Sequence, residues 1–159
     1  IYRNYSKNNN INEIINLNKY CKNRQFKLYL ANNFKLAWKL NLDGAYIPAF
    51  NKCLKHKLYP KKRDFLIIGS SHNVTEIRYK IKQGCKKIFL SPIFRVSKKK
   101  NYLGLFNFRN LISKTKIEIM ALGGINEFNI KKLKISGCSG YACISHIKKT
   151  AQKSGPLNF

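Results

Sequence analysis

The stretch ALGGI, Ala121–Ile125, ends an apolar run on two adjacent glycines, and its reading decides the fold. The residues before it, in IEIMALG (117–123), read as a strand. Paired glycines at its end let the backbone turn sharply or approach another group closely. One unit later, GYACISHI (Gly140–Ile147) repeats the pattern with a short strand and a small-residue turn. In parallel βα barrels the loops after the last two strands commonly form a phosphate site from backbone N–H groups and a short helix N-terminus. A doubly wound sheet would accommodate the same strands. The two small-residue turns in successive final units favour a (β/α)8 TIM barrel.

Working outward, further strands are expected in IYRNY, FKLYLA, GAYI, FLIIGS and KIFLS. Between them lie segments with apolar residues at helical spacing. INEIINLNKYCK places Ile11, Ile14, Ile15 and Leu17 on one side. NVTEIRYKIKQG has Asn73 as an N-cap, Glu76 at the third helical position and Gly84 as a stop. FNIKKLKISG closes similarly at Gly137. Strands alternating with helices indicate parallel βαβ units. The strand count is one short of eight, and the chain opens inside an apolar–polar alternation without Met. A barrel lacking its first strand, from a truncated N-terminus, is therefore expected. Residues 1–147 form one domain in this reading, and 148–159 form a poorly packed tail.

Of the 159 residues, 44% are hydrophobic, enough for one domain with a core. No run approaches the roughly 20 apolar residues of a membrane span, and the first residues lack signal-peptide order. The 32 Lys+Arg against 6 Asp+Glu give a formal charge of +26. Such an excess points to nucleic acid when it is concentrated on one face. Here it is almost all Lys and, like Asn, is spread along the chain. A compositional bias explains it, with no specific nucleic-acid partner, no membrane and only weak polyanion affinity expected. Five cysteines without a CxxC pair read as buried, reduced thiols of a cytoplasmic protein.

ANNFKLAWKLNLDGAYIP (31–48), IGSSHNVTEI (68–77), GCKKIFLSPIF (84–94), IMALGGIN (119–126) and GYACIS (140–145) together resemble the thiamine phosphate synthase/TenI family. The resemblance runs from about Tyr2 to Ile147. It implies a TIM barrel whose active site lies at the C-terminal ends of the strands. It also implies thiamine biosynthesis: a transferase joining hydroxymethylpyrimidine diphosphate to thiazole phosphate with release of pyrophosphate. Small phosphorylated substrates are the implied partners, and a homodimer the implied assembly.

The site residues follow from the same likeness. Gly124 with its neighbour Gly123, and Ile144 with Ser145, match the positions that hold the thiazole phosphate; a tight turn alone would also explain the glycines. Ser70 matches a serine that contacts the pyrimidine, or it caps the following helix. Arg3 matches the arginine of the diphosphate motif, although Asn4 and Tyr5 replace its companions. Lys99, with Lys98 as a one-residue alternative, matches a loop lysine that closes over the diphosphate.

The metal positions depart from the pattern. Asn32 and Asn51 stand where synthases carry aspartates, and a neutral carbonyl binds Mg2+ far less well than a carboxylate. No other carboxylate replaces them. Asp43 sits in a turn at the opposite end of the barrel. No protein-built metal site is expected, and Mg2+ enters only with the substrate diphosphate.

Two alternatives stay open. Thiazole tautomerases of the family lack the metal aspartates and use a histidine matching His72, whose imidazole suits proton transfer. Many synthases also have a histidine there, and a lone histidine at a helix start is often just a capping or packing residue. A non-catalytic barrel binding a phosphorylated ligand or a polyanion is the third reading. His56 and His146 carry little information by themselves.

Overall fold

The computed structural model describes residues 1–4, 10–97 and 101–143, and these fall into two compact units. The first comprises Ile1–Ser70 and Thr75–Lys86; the second comprises Ser71–Val74 and the chain from Lys87 onward. Lys98, Lys99, Ile144, Ser145 and His146, together with the tail, lie outside the described residues.

In the first unit the expected strand at the start of the chain is a single parallel bridge. Tyr2 N donates to Tyr29 O and Ala31 N to Tyr2 O, each at 2.9 Å. Helix α1, Ile11–Asn23, begins where the Asn10 carboxamide accepts from Glu13 N at 3.3 Å. Its buried stripe is narrower than the periodicity suggests. Ile14 and Cys21 are buried, with Leu17 packed beside them, whereas Ile11 and Ile15 are exposed. Ile14, Leu17 and Cys21 are spaced i, i+3, i+7, and residues one step away rotate off that line.

Strand β1, Tyr29–Ala31, leads into the six-residue helix α2, Phe34–Lys39, then β2, Gly44–Ile47. Strand β3, Leu66–Ser71, follows a 3-10 turn, and α3, Val74–Lys82, follows β3. β1 pairs with β2, and β2 with β3, all parallel. Asp43 has the structural role its turn position suggests: its carboxylate accepts from Leu28 N at 2.8 Å, tying the entry of β1 to that of β2. Leu28, Leu30, Ala37, Leu42 and Ala45 join Ile14 and Cys21 in the core.

The second unit contains β4, Lys87–Leu90, helix α4, Gly104–Ser113, β5, Glu118–Leu122, and β6, Gly140–Ala142. β4 pairs with β5 and β5 with β6, again parallel. Between β5 and β6 the expected helix is a 3-10 segment, Ile130–Ile135. Ile88, Leu90, Ile93, Phe108, Ile119, Ala121 and Leu133 are buried. The architecture is parallel α/β throughout. Among the described residues no helix is long and apolar enough to cross a membrane.

Candidate functional site

At the C-terminal end of β1, Asn32 adopts φ +58°, a left-handed conformation that asparagine tolerates better than most residues. Its N–H donates to Tyr46 O at 2.8 Å. Its side-chain oxygen accepts from Asn51 Nδ2 at 2.7 Å. Asn51 Oδ1 in turn accepts from Cys53 N at 2.8 Å. The two asparagines singled out in the sequence thus meet as a direct amide pair. They line a pocket of about 290 Å3 with Phe34, Tyr46, His56 and Tyr59, and with Lys35 and Lys55 among its other lining residues.

The loop Pro48–Cys53, which carries Asn51, is held mainly by side chains from β3 and α3. Ser70 Oγ accepts from Ala49 N at 3.1 Å, a role that neither substrate contact nor helix capping anticipates. Lys80, completely buried, donates to Pro48 O at 2.7 Å, Asn51 O at 2.8 Å and Gln83 Oε1 at 2.8 Å. Gln83, equally buried, donates to Asn51 O at 3.0 Å and Cys53 O at 2.8 Å. His56 Nε2 lies 2.8 Å from Gln83 O; a carbonyl only accepts, so this nitrogen carries the proton. Burial lowers the Lys80 ammonium pKa from its ordinary value and pushes the Cys85 thiol up to about 12.

This arrangement does not fit Mg2+. The donors at Asn32 and Asn51, the two positions expected to match metal aspartates, are neutral amides, and each side-chain oxygen already accepts a hydrogen bond. A buried ammonium sits 2.8 Å from the Asn51 backbone carbonyl, which adds positive charge beside the pair. Among the described residues no group of three or more His, Cys, Asp or Glu could hold a metal ion. Arg3 is exposed, one residue beyond the Tyr2 bridge.

In the second unit Gly123 and Gly124 have φ of +94° and +70°. A Cβ at Gly124 would fall 2.6 Å from Arg95 O and 2.7 Å from Phe94 C, and one at Gly123 would fall 2.8 Å from Pro92 Cβ. Close backbone approach therefore requires both glycines, whatever else they do. Phe94 N donates to Gly123 O at 3.1 Å, and Asn129 Nδ2 to Gly124 O at 2.8 Å. Leu103 N donates to Pro92 O at 2.9 Å and Gly104 N to Ile93 O at 3.0 Å. His72 is half-buried, and its Nδ1 lies 2.6 Å from Ser91 O. The acceptor-only carbonyl puts the proton on Nδ1 and makes Nε2 the basic nitrogen of the neutral ring.

Sequence reasoning missed Lys80, Gln83 and His56. One signal was available: Lys80 falls three residues after the apolar Ile77, on the stripe that α3 buries.

The family model described as thiamine monophosphate synthase matches residues 1–147. A thiamine-phosphate synthase of Prochlorococcus marinus subsp. pastoris is 33% identical over 140 residues, covering 85% of this chain and 39% of its own length. A second Prochlorococcus marinus thiamine-phosphate synthase is 32% identical, with 86% and 40% covered. The chain therefore spans about two-fifths of the length of these relatives. Among solved structures, thiamine phosphate pyrophosphorylase from Pyrococcus furiosus superposes with a TM-score of 0.69 at 18% identity, covering 87% of this chain and 68% of that one. This likeness shows the fold, and the barrel class expected from the closing glycine turns stands.

Proposed function

The chain belongs to the thiamine monophosphate synthase family, and from that premise we propose that it is a thiamine phosphate synthase-like transferase working without protein-held Mg2+. The observation that carries this reading is the Asn32–Asn51 amide pair lining a pocket; the sequence resemblance matches these two residues to the family's metal aspartates. The pair is a polar site of neutral donors and acceptors.

The reaction needs three things of the protein. The leaving diphosphate needs cations, and Arg3 with Lys99, or Lys98 beside it, supplies them. The thiazole phosphate needs donors, assigned to the backbone at Gly123 and Gly124 and to Ile144 and Ser145. The pyrimidine ring needs neutral polar contacts, which suit Asn32, Asn51 and Ser70. In this reading Mg2+ enters only as the counter-ion of the substrate diphosphate, and the protein works in the cytoplasm as a homodimer.

A second reading rests on His72. Its Nδ1–H to Ser91 O fixes the tautomer with Nε2 as base, the state a thiazole phosphate tautomerase needs.

One assay separates the two. The full-length protein is given hydroxymethylpyrimidine diphosphate and thiazole phosphate, with and without Mg2+, and thiamine phosphate is quantified. Product that disappears in Lys99→Ala supports the transferase. Absence of product, with thiazole proton exchange that is lost in His72→Ala, transfers the protein to the tautomerase branch.

A further inference from the structure

We propose that Lys80 is a positioning residue: a buried cation on α3 that fixes the Pro48–Cys53 loop and, through it, the Asn51–Asn32 pair that the pocket presents to its ligand. Lys80 on α3 and Gln83, one residue past its end with its N–H still donating to Tyr79 O, are spaced i, i+3, so their side chains lie on one face. Between them they supply five hydrogen bonds; four go to backbone carbonyls of Pro48, Asn51 and Cys53, and the fifth joins the two side chains. These acceptors lie roughly thirty residues earlier in the chain, so Lys80 and Gln83 add long-range ties to the loop's own turn bonds, Asn51 N to Pro48 O and Cys53 N to Asn51 Oδ1.

β3 is built to admit this lysine. Gly69 has no side chain, and a Cβ there would lie 2.8 Å from Lys80 Cδ and 3.0 Å from Cys85 Sγ. The glycine leaves the channel through which the aliphatic stem reaches the loop. Burying an ammonium among neutral acceptors is costly unless all its hydrogens are satisfied. Here three acceptors stand at 2.7–2.8 Å. A methionine would fill the same volume without a donor, so the chain carries the cost of a charge at a place where packing alone does not require one. The product of that cost is a fixed Asn51.

The test compares Lys80→Met with the wild type in the full chain and reads geometry and binding separately. The geometry arm follows hydrogen exchange at the Cys53 N–H and the Asn51 side-chain amide by NMR, with the amides of β1 as internal reference. Roughly tenfold faster exchange at Cys53 and Asn51, with β1 unchanged, is expected from losing these buried contacts. The binding arm titrates hydroxymethylpyrimidine diphosphate at a temperature where both proteins are folded, and a roughly tenfold weaker affinity is expected.

Unchanged protection at Asn51 and Cys53 overturns the proposal. Lost protection with unchanged affinity also overturns it, because Lys80 would then hold the loop without serving the site. Only the binding arm rests on the transferase reading. A wild type that does not bind the diphosphate removes that reading and leaves the geometry arm to decide. If Lys80→Met does not fold, Gly69→Ala, which displaces the stem and keeps the charge, carries the same two expectations.

Discussion

Two loops at strand C-termini, Pro48–Cys53 after β2 and Gly123–Gly124 after β5, are held in place by opposite means. The first is held by side chains: Ser70, Lys80 and Gln83 reach its backbone N–H and carbonyl groups, and Asn32 meets Asn51. The second is held by the shape of the main chain, because Phe94 and Arg95 approach so closely that no Cβ fits. A loop held by side chains is loosened by removing a polar group. A loop held by backbone approach is broken by adding a single carbon.

The largest effect is expected at the backbone loop. Gly124→Ala must place a Cβ against backbone atoms at φ +70°, where neither partner can rotate away. A loss of about 3 kcal/mol, read by urea unfolding, is expected. A loss below about 1 kcal/mol would mean that the loop yields and that the comparison with the first loop is wrong.

Lys80→Met comes next. The substitution removes the three hydrogen bonds of the buried ammonium, to Pro48 O, Asn51 O and Gln83 Oε1, although Asn51 N still donates to Pro48 O and Gln83 Nε2 to Asn51 O. The loss costs about 2 kcal/mol. The same residue gives a pH signature. Burial, outweighing Cys85 and Glu76, lowers the Lys80 pKa from 10.5 in the folded chain. Just below 10.5 Lys80 therefore holds its proton more fully in the unfolded chain, and its own contribution to stability rises with pH across that window, opposite in sign to that of Cys85, which both proteins share. Wild type should gain on Lys80→Met as the pH is raised toward 10.5, and parallel stability curves would contradict the assignment.

A smaller effect is expected from placing carboxylates at the asparagine pair. Asn32→Asp with Asn51→Asp replaces an amide contact of 2.7 Å by two like charges. The double variant should lose about 1 kcal/mol without metal and recover it in millimolar Mg2+, read as thermal stability. Wild type should not respond. An equal response of wild type would show that neutral amides suffice for the metal.

The smallest effect leaves stability untouched. Cys53 is exposed, whereas the Cys85 thiol is buried and pushed up to about 12. Alkylation at neutral pH should therefore mark Cys53 well before Cys85, as seen by peptide mass. Labelling of Cys85 at the rate of Cys53 would show that the packing of Cys85 beside Gly69 of β3 opens readily.

The strands were legible because buried parallel strands read as short apolar runs bounded by glycines and polar residues, and β2, β3, β4 and β5 fall within a residue or two of the expected stretches. Helix α2 was not, since FKLAWK is six residues and too short for a periodic signal. The glycine pair was legible as a special turn, but the need for it comes from Phe94 and Arg95, some thirty residues away in sequence. Asn32 and Asn51 could be picked out only by family likeness, and nothing local announces that they meet. Lys80 was hidden by composition. In a chain with 32 Lys+Arg a lysine in VTEIRYKIK reads as one more solvated charge, and only its register with Ile77 says otherwise.

The most direct test of the account is calorimetric titration of hydroxymethylpyrimidine diphosphate into the full-length wild type and into Asn51→Leu, with thermal stability measured alongside. The account predicts micromolar binding by wild type and at least tenfold weaker binding by the variant, about 1.4 kcal/mol, with its melting temperature changed little. A wild type that does not bind, or a variant that binds equally well, would contradict it.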